Sequence, residues 1–336
     1  MSESLHVAVV GATGAVGREI MTVLDRVKWR PETVSPVASP GTTTPFVEYG
    51  ERQIPVLDAQ DLDTGMLDAV ILAAPDRVSR EVGERAIEDG VIVVDVSGVF
   101  EGEAGVPMVV PWVNPELLAQ GGIRDVVSLP GGPALLVSSI LGPLARAGVV
   151  GDTDVTVFVP ASTWGRDGIE ELSKQVVSLF NAGTPPRKVF PQGLAFDLIP
   201  AVGHVQEDGW TDLESRARQQ VQTILGAELP LRISMVGVPV FSGISAQITL
   251  RLGRRVLPDL VRRILTDGGV GVVEDDSPRT LPRPRRVEGQ PFAQVGRIRA
   301  DDEGATLRLW VSMDNLRGTA TAAASLVGAA VRQRSA

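Results

Sequence analysis

The chain has 336 residues, 41 Asp and Glu against 32 Lys and Arg, a formal net charge of −9, two histidines and no cysteine. That balance excludes a general nucleic-acid binder, which needs a basic face to neutralise phosphates, and no apolar run approaches the roughly 18 residues of a membrane span. Without cysteine there is no disulfide, no thiolate metal site and no Cys–His catalysis. The length suffices for two domains with separate cores. The opening MSESLH carries no basic segment ahead of an apolar one, so no secretory signal is expected and the expected location is cytoplasmic.

Val7–Val10 is a short apolar run of the kind buried inside a parallel sheet. Gly11, Gly14 and Gly17 follow at G-x-x-G-x-x-G spacing, with Thr13, Ala15 and Val16 between them, ahead of a helix expected over Arg18–Val27. Strand, glycine turn and helix in that order predict a Rossmann-type unit. Its glycines allow a tight turn, close approach to a pyrophosphate and close helix–strand packing, and the helix N-terminus points at the phosphates. Two readings of Gly11–Gly17 stay open: a retained NAD or NADP site, or glycines kept for packing alone.

Thr33–Ala38 reads as the second strand, leading to Ser39, Pro40, Gly41 and Thr42–Thr44. The end of this strand meets the adenosine ribose in a Rossmann unit. With hydroxyls and no nearby base, it leans away from a strong 2′-phosphate site. Phe46–Val56 reads as a hairpin, and Leu67–Ala74 as a buried strand whose small Ala73 and Ala74 would let a ligand cross the sheet edge. A helix over Arg77–Asp89, a strand over Val91–Val96 closed by Ser97 and Gly98, and strands at Met108–Val110 and Val126–Ser128 continue the alternation. Such alternation implies a parallel sheet covered on both faces.

A helix over Leu135–Ala147 is entered from Pro130-Gly131-Gly132-Pro133, and from Asp154 the texture changes. Asp154–Pro160 alternates at period two, implying a sheet with one covered face. Helices are expected at Gly168–Asn181, Thr211–Leu225, Pro258–Thr266 and Thr319–Arg332. Arg232–Val240 and Ser245–Leu252 read as strands pairing about Phe241-Ser242-Gly243, and Arg297–Ala300 and Leu307–Ser312 as late strands. Asp275–Gln290, rich in Pro and Arg, reads as a solvated loop and the best candidate for disorder. The fold class is α/β: a Rossmann-type NAD(P)-binding domain (1–130 and 316–336) plus an α+β substrate and dimerisation domain (131–315).

GATGAVG at Gly11–Gly17, DVSGVF at Asp95–Phe100, VPMVVPWVNPE at Val106–Glu116, AFDLIP at Ala195–Pro200, VPVFSG at Val238–Gly243 and MDNLRG at Met313–Gly318 stand in one order and spacing. Together they resemble the aspartate-semialdehyde dehydrogenase family over nearly the whole chain. Trp164–Asn181 and Ala195–Pro200 are most similar to its cysteine-less Usg-type branch. The resemblance implies reduction of an acyl phosphate through a cysteine thioester, with a histidine base, NADPH as hydride donor and arginines gripping carboxylate and phosphate. It also implies a homodimer joined through the second domain's sheet face.

Residue by residue, that machinery is replaced. Gly132 stands at the nucleophile position, Ile244 at the base, Gly237 at the carboxylate arginine, Glu101 at the phosphate arginine and Gln220 at a glutamate; Arg216 takes a lysine position. Pro40 replaces the arginine that follows Ala-Ser in the family, whereas Asn315 is kept. The resemblance thus implies a member silent in the family reaction, binding a dinucleotide through Gly11–Gly17, Ser39, Ala73, Ala74, Ser97, Gly98 and Asn315. The alternative is an NAD(P)-dependent oxidoreductase acting on another substrate without a thioester. Its acid–base candidates are Asp167, Glu170, Glu171, Asp197 and Ser162 or Thr163, with Asp167 and Glu171 on one helix face. His6 and His204 read as surface residues. No metal site, nucleic acid or membrane partner is expected.

Overall fold

A computed structural model describes residues 5–39, 42, 44–119, 126–273, 277–301 and 303–334. The chain divides into two compact units, Met1–Gly131 with Thr319–Ala336, and Gly132–Gly318.

The first unit runs β1 (His6–Val10), α1 (Ala15–Leu24), β2 (Thr33–Ala38), β3 (Phe46–Tyr49), β4 (Arg52–Pro55), β5 (Leu57–Asp58), β6 (Ala69–Leu72), α2 (Asp76–Glu88), β7 (Ile92–Asp95), α3 (Glu116–Ala119) and β8 (Val126–Ser128). Six of these strands form one sheet in the order β5-β2-β1-β6-β7-β8, parallel throughout. The unbroken apolar run of β1 has a direct cause. Val7 and Val9 pack into a core on one face of the sheet, and Ala8 and Val10 into a core on the other. Strand order reverses between β1 and β6, and in open α/β sheets ligands bind at the carboxyl ends of the strands at such a point. β3 and β4 form the expected hairpin, turned at Gly50 with φ +59°.

The second unit runs α4 (Gly132–Arg146), β9 (Asp152–Val159), α5 (Gly165–Phe180), α6 (Asp212–Leu225), β10 (Leu231–Gly237), β11 (Ile244–Arg251), α7 (Pro258–Asp267), β12 (Gly271–Val272), α8 (Pro284–Val287), β13 (Gln294–Ala300) and β14 (Thr306–Met313). α9 (Asn315–Arg334) closes the described chain, and its residues Ala320–Val327 supply core to the first unit. The second sheet is mixed, in the order β10-β9-β11-β14-β13-β12. Along β9 buried and half-exposed residues alternate strictly, as its period-two sequence predicts.

Several expectations need correction. β10 and β11 do not pair with each other: β9 lies between them, parallel to β10 and antiparallel to β11. Met108 makes one isolated bridge to Ser128 and no strand. α1 begins at Ala15, within the glycine motif, because Gly14 is its N-cap. α4 begins at Gly132, with Pro133 in the first turn, where a missing N–H costs nothing. The Pro/Arg-rich stretch is stitched down from Ser277 to Gln290. Trp310 Nε1 donates to Pro282 O at 2.7 Å, Gly289 N donates to Asp314 Oδ2 at 2.8 Å, and Val287 is fully buried. Asp275, with Pro40, Gly41 and Thr43, lies outside the described residues.

Candidate functional site

The glycine turn follows β1 at the point where strand order reverses. Gly11 N and Ala12 N both donate to Val37 O, at 2.8 and 3.1 Å, fastening the turn to the end of β2. The three glycines have different reasons to be there. Gly11 has φ +89°, and a Cβ on it would stand 2.4 Å from Ala73 O. A Cβ on Gly17 would stand 2.1 Å from Gly11 O. Packing alone requires both. Gly14 has φ −73° and ψ 173°, extended backbone open to any residue. A Cβ there would have one neighbour within 4 Å, Gly11 O at 3.2 Å. Gly is an accepted N-cap and that contact is tight, but packing asks for glycine here less strongly than at Gly11 and Gly17. A clear surface at the mouth of α1, where amides and dipole favour anions, is a further reason for it. The turn therefore fits the pyrophosphate of a dinucleotide.

Ser39, Ala73, Ala74, Ser97 and Gly98 stand at the carboxyl ends of β2, β6 and β7, on the same sheet edge as the turn. A fully buried carboxylate that the sequence reading missed shapes one part of this edge. Asp95 Oδ1 accepts from Ser97 Oγ at 2.6 Å and Gly98 N at 2.9 Å, and Oδ2 accepts from Phe100 N at 2.9 Å. Arg80 of α2 fixes the same loop from outside. Its guanidinium lies 4.5 Å from the centre of the Phe100 ring, donates to Val99 O and pairs with Glu103. Glu101 sits in the turn that follows. The sequence signal for Asp95 was present, since a strand-ending Asp followed two residues on by Ser-Gly commonly organises its own turn.

The remaining family positions fall in the second unit. Gly132 opens α4, and a Cβ there would touch only Asn315 Cβ, at 3.6 Å. Asn315 Oδ1 accepts from Gly243 N at 2.9 Å, and its Nδ2 donates to Ser162 Oγ at 3.0 Å. Gly132, Ser162, Gly243 and Asn315 thus form one cluster, with Ile244 fully buried beside it at the start of β11. Gly237 ends β10, facing Ile199 and Trp164. Gln220 is buried on α6, and Arg216 is exposed on the same helix. Asn315, alone of the expected dinucleotide residues, belongs to this second unit.

The alternative acid–base candidates are spent or exposed. Asp167 and Thr163 are exposed. Glu170 pairs with Arg166 and Lys174, and Arg166 first of all holds its carboxyl below the usual range. Asp197 is exposed and accepts from Leu198 N. Among the described residues the Ser162 hydroxyl bonds the neutral Asn315 side chain and no base. Asp167 and Glu171, one turn apart, part company. Glu171 is 6% exposed and accepts from Lys188, Val189 and Phe190 amides at 2.8–2.9 Å. Burial pushes its carboxyl up, the three amides pull it down more, and the net is a lowered pKa. Gln175, one turn on, donates to Pro186 O and accepts from Leu194 and Ala195 amides, so the two side chains pin residues 186–195. His6 opens β1 with its ring on Ser35 Oγ at 2.8 Å, and His204 is exposed. Among the described residues no cluster of His, Asp and Glu could hold a metal ion, and no helix is long and apolar enough to cross a membrane.

Comparison with known proteins agrees over almost the full length. Residues 6–121 match the family model for the semialdehyde dehydrogenase NAD binding domain, and residues 141–318 that for the semialdehyde dehydrogenase dimerisation domain. The chain is 32% identical over 332 residues to a USG-1 protein homolog of Pseudomonas aeruginosa, covering 98% of each chain. It is 30% identical over 319 residues to the aspartate-semialdehyde dehydrogenase of Rickettsia bellii, covering 94% of each. Among solved structures, a probable aspartate-semialdehyde dehydrogenase from Pseudomonas aeruginosa superposes with a TM-score of 0.92 at 31% identity, over 99% of this chain and 100% of that one.

Proposed function

The chain belongs to the semialdehyde dehydrogenase family, and we propose that within it this protein is a dinucleotide-binding homodimer without the family's covalent chemistry. One observation carries the second half of that reading. At the first residue of α4, where the resemblance puts a nucleophile on a helix N-terminus, Gly132 presents no side chain. The neighbouring Ser162–Asn315 pair has no base to activate it. A thioester needs a thiolate, and the chain has no cysteine to move into place. The base position is the fully buried Ile244. Removing a nucleophile costs on the order of 10⁶ in turnover in a well-studied covalent enzyme.

The dinucleotide half rests on Gly14, the glycine of the turn that packing requires least. Bound NAD(P)H would supply a hydride. The chain's own part is to receive the pyrophosphate at the α1 amides and to shape the sheet edge through Asp95. The homodimer rests on the dimerisation-domain match and on the half-open face of the second sheet. On that face Phe158 and Trp310 stack at 5.5 Å, and Asp152 and Asp154 pair with Arg232 and Arg251.

The test is direct. Purified protein with aspartate semialdehyde, phosphate and NADP is expected to form no NADPH above a protein-free control; clear protein-dependent turnover overturns the silent reading. Calorimetric titration with NADPH is expected to show saturable binding. No heat at millimolar cofactor overturns the dinucleotide half.

A further inference from the structure

Arg279, Arg283, Arg285 and Arg286 stand within eight residues of the Pro/Arg-rich segment, in a chain whose net charge is −9. All four are exposed, and among the described residues none makes an ion pair. Glu288, the one carboxylate between Ser277 and Gln290, is exposed and pairs with none of them. We propose that these arginines form a docking surface for an acidic segment of a partner protein. The surface lies within the second unit and is independent of the cofactor reading above.

The backbone beneath them is held in one shape. Thr280 N and Leu281 N both donate to Ser277 O, at 2.9 and 3.2 Å, so residues 277–281 close a single helical turn. Its carbonyls point one way, as in any helical turn. Arg283 Nη1 donates to Pro278 O and Arg286 Nη1 to Arg279 O, each at 3.2 Å. Two guanidiniums are therefore held on neighbouring carbonyls, at the turn that also carries Arg279. Each uses one of its five N–H donors on the fold. Capping those carbonyls accounts for two arginines; it accounts for neither Arg279 nor Arg285. The segment is also tightly seated. A Cβ on Gly243 would stand 2.7 Å from Pro284 Cα, and one on Gly296 would stand 2.9 Å from Leu281 Cδ2, so both glycines make room for it. With the bonds to Trp310 and Asp314, the arginines are arranged before any partner arrives, which lowers the ordering cost of binding.

Charge and shape name the kind of partner. Guanidinium forks match carboxylates and phosphates alike. Small anions are held in concave sites, whereas these exposed arginines, spread over eight residues, suit an extended chain. A nucleic acid carries its charge far beyond so short a patch. It would meet the acidic remainder of the chain, which repels it. A short run of Asp and Glu ends where the patch ends, and the same repulsion steers it to this face.

Fluorescence anisotropy on the full chain tests it, with labelled hexaglutamate, hexaglutamine and a thymidine oligonucleotide of six phosphates as probes. Hexaglutamate is expected to bind saturably at about 20 mM salt and to be largely released by about 0.3 M; hexaglutamine is expected not to bind. Exposed charge pairs add modestly apiece, so Arg283→Gln with Arg286→Gln is expected to weaken hexaglutamate about tenfold. Arg285→Glu, whose guanidinium bonds nothing in the fold, is expected to weaken it by a similar factor at an unchanged melting temperature, and decides the matter if the double variant melts lower. Arg218→Glu, the same charge change on exposed α6, is expected to leave binding unaltered. No binding of hexaglutamate by wild type overturns the proposal. So does equal weakening by Arg218→Glu, which shows a response to net charge alone. An oligonucleotide that binds more tightly than hexaglutamate overturns it in favour of a nucleic-acid surface.

Discussion

Gly237 and Ile199 exchange both backbone hydrogen bonds, at 2.8 and 2.9 Å, and a Cβ on Gly237 would stand 3.0 Å from Ile199 Cβ and 3.5 Å from the Trp164 ring. The space an arginine would use at position 237 is therefore filled by apolar side chains from two other segments. The Ala195–Pro200 stretch is not a bystander: it is the plug.

Under the proposed function, an arginine at position 237 would need room made for it as well. Gly237→Arg alone is expected to destabilise by about 1–3 kcal/mol, as overpacking does. Gly237→Arg with Ile199→Ala is expected to recover most of that loss. Thermal melting of the two variants measures it, and a single variant as stable as wild type refutes the plug.

The glycine turn separates packing from binding. Gly17→Ala drives a methyl into Gly11 O and is expected to cost about 3 kcal/mol or more. Gly14→Ala meets one atom at 3.2 Å and gives up a preferred N-cap residue, so it is expected to cost about 1 kcal/mol, well short of Gly17→Ala. Under the proposed function Gly14→Ala nevertheless weakens NADPH on the order of tenfold, by lifting the phosphates off the α1 amides. Melting and calorimetry on the same two proteins read both effects. Equal stability loss at the two positions contradicts this division.

Glu171 makes part of the stability acid-sensitive. Its folded pKa lies below the unfolded value of about 4.3. Its contribution is therefore complete above that pH and is lost as pH falls through the folded value. Glu171→Gln loses acceptor capacity for the three amides and is expected to cost about 3 kcal/mol at pH 7. The gap between wild type and Glu171→Gln should narrow as pH drops below about 4.3. Urea unfolding at pH 7, 5, 4 and 3 reads this, and a constant gap contradicts it.

The dimer proposed above places Thr156, half-exposed at the centre of β9, under a second copy. Thr156→Arg puts two like charges near the symmetry axis of such a dimer. Sedimentation is expected to show a dimer for wild type at micromolar concentration and a monomer for the variant. A variant that remains dimeric places the interface elsewhere.

Much of the fold was legible from local pattern. β1 could be read because a strand with a core on both faces must be apolar at every position, and β9 because a strand with one core must alternate. The β3–β4 hairpin followed from its turn residues. What escaped was set by distant chain. Nothing between Arg232 and Leu252 announces that β9, some eighty residues earlier, inserts between β10 and β11. Glu171 read only as an acid–base candidate beside Asp167, because its partners are backbone amides, which leave no mark in a sequence. The Pro/Arg stretch looked unanchored because its anchors are Trp310 and Asp314. At the site, residue identity marked the departures from the family pattern at Gly132 and Ile244, but not the apolar packing around Gly237.

α9 gives the first unit a problem of timing. Ala320, Ala322, Ala323, Ala324, Leu326 and Val327 belong to the same core as Val7, Val9 and Ile20. Gly328 presses on the Trp29 indole, where a Cβ would stand 2.3 Å from Nε1. The sheet of the first unit therefore holds an apolar face open until residues 319–334 are made, after the second unit. Domains usually fold in order of synthesis; here strands made before the second unit are sealed after it.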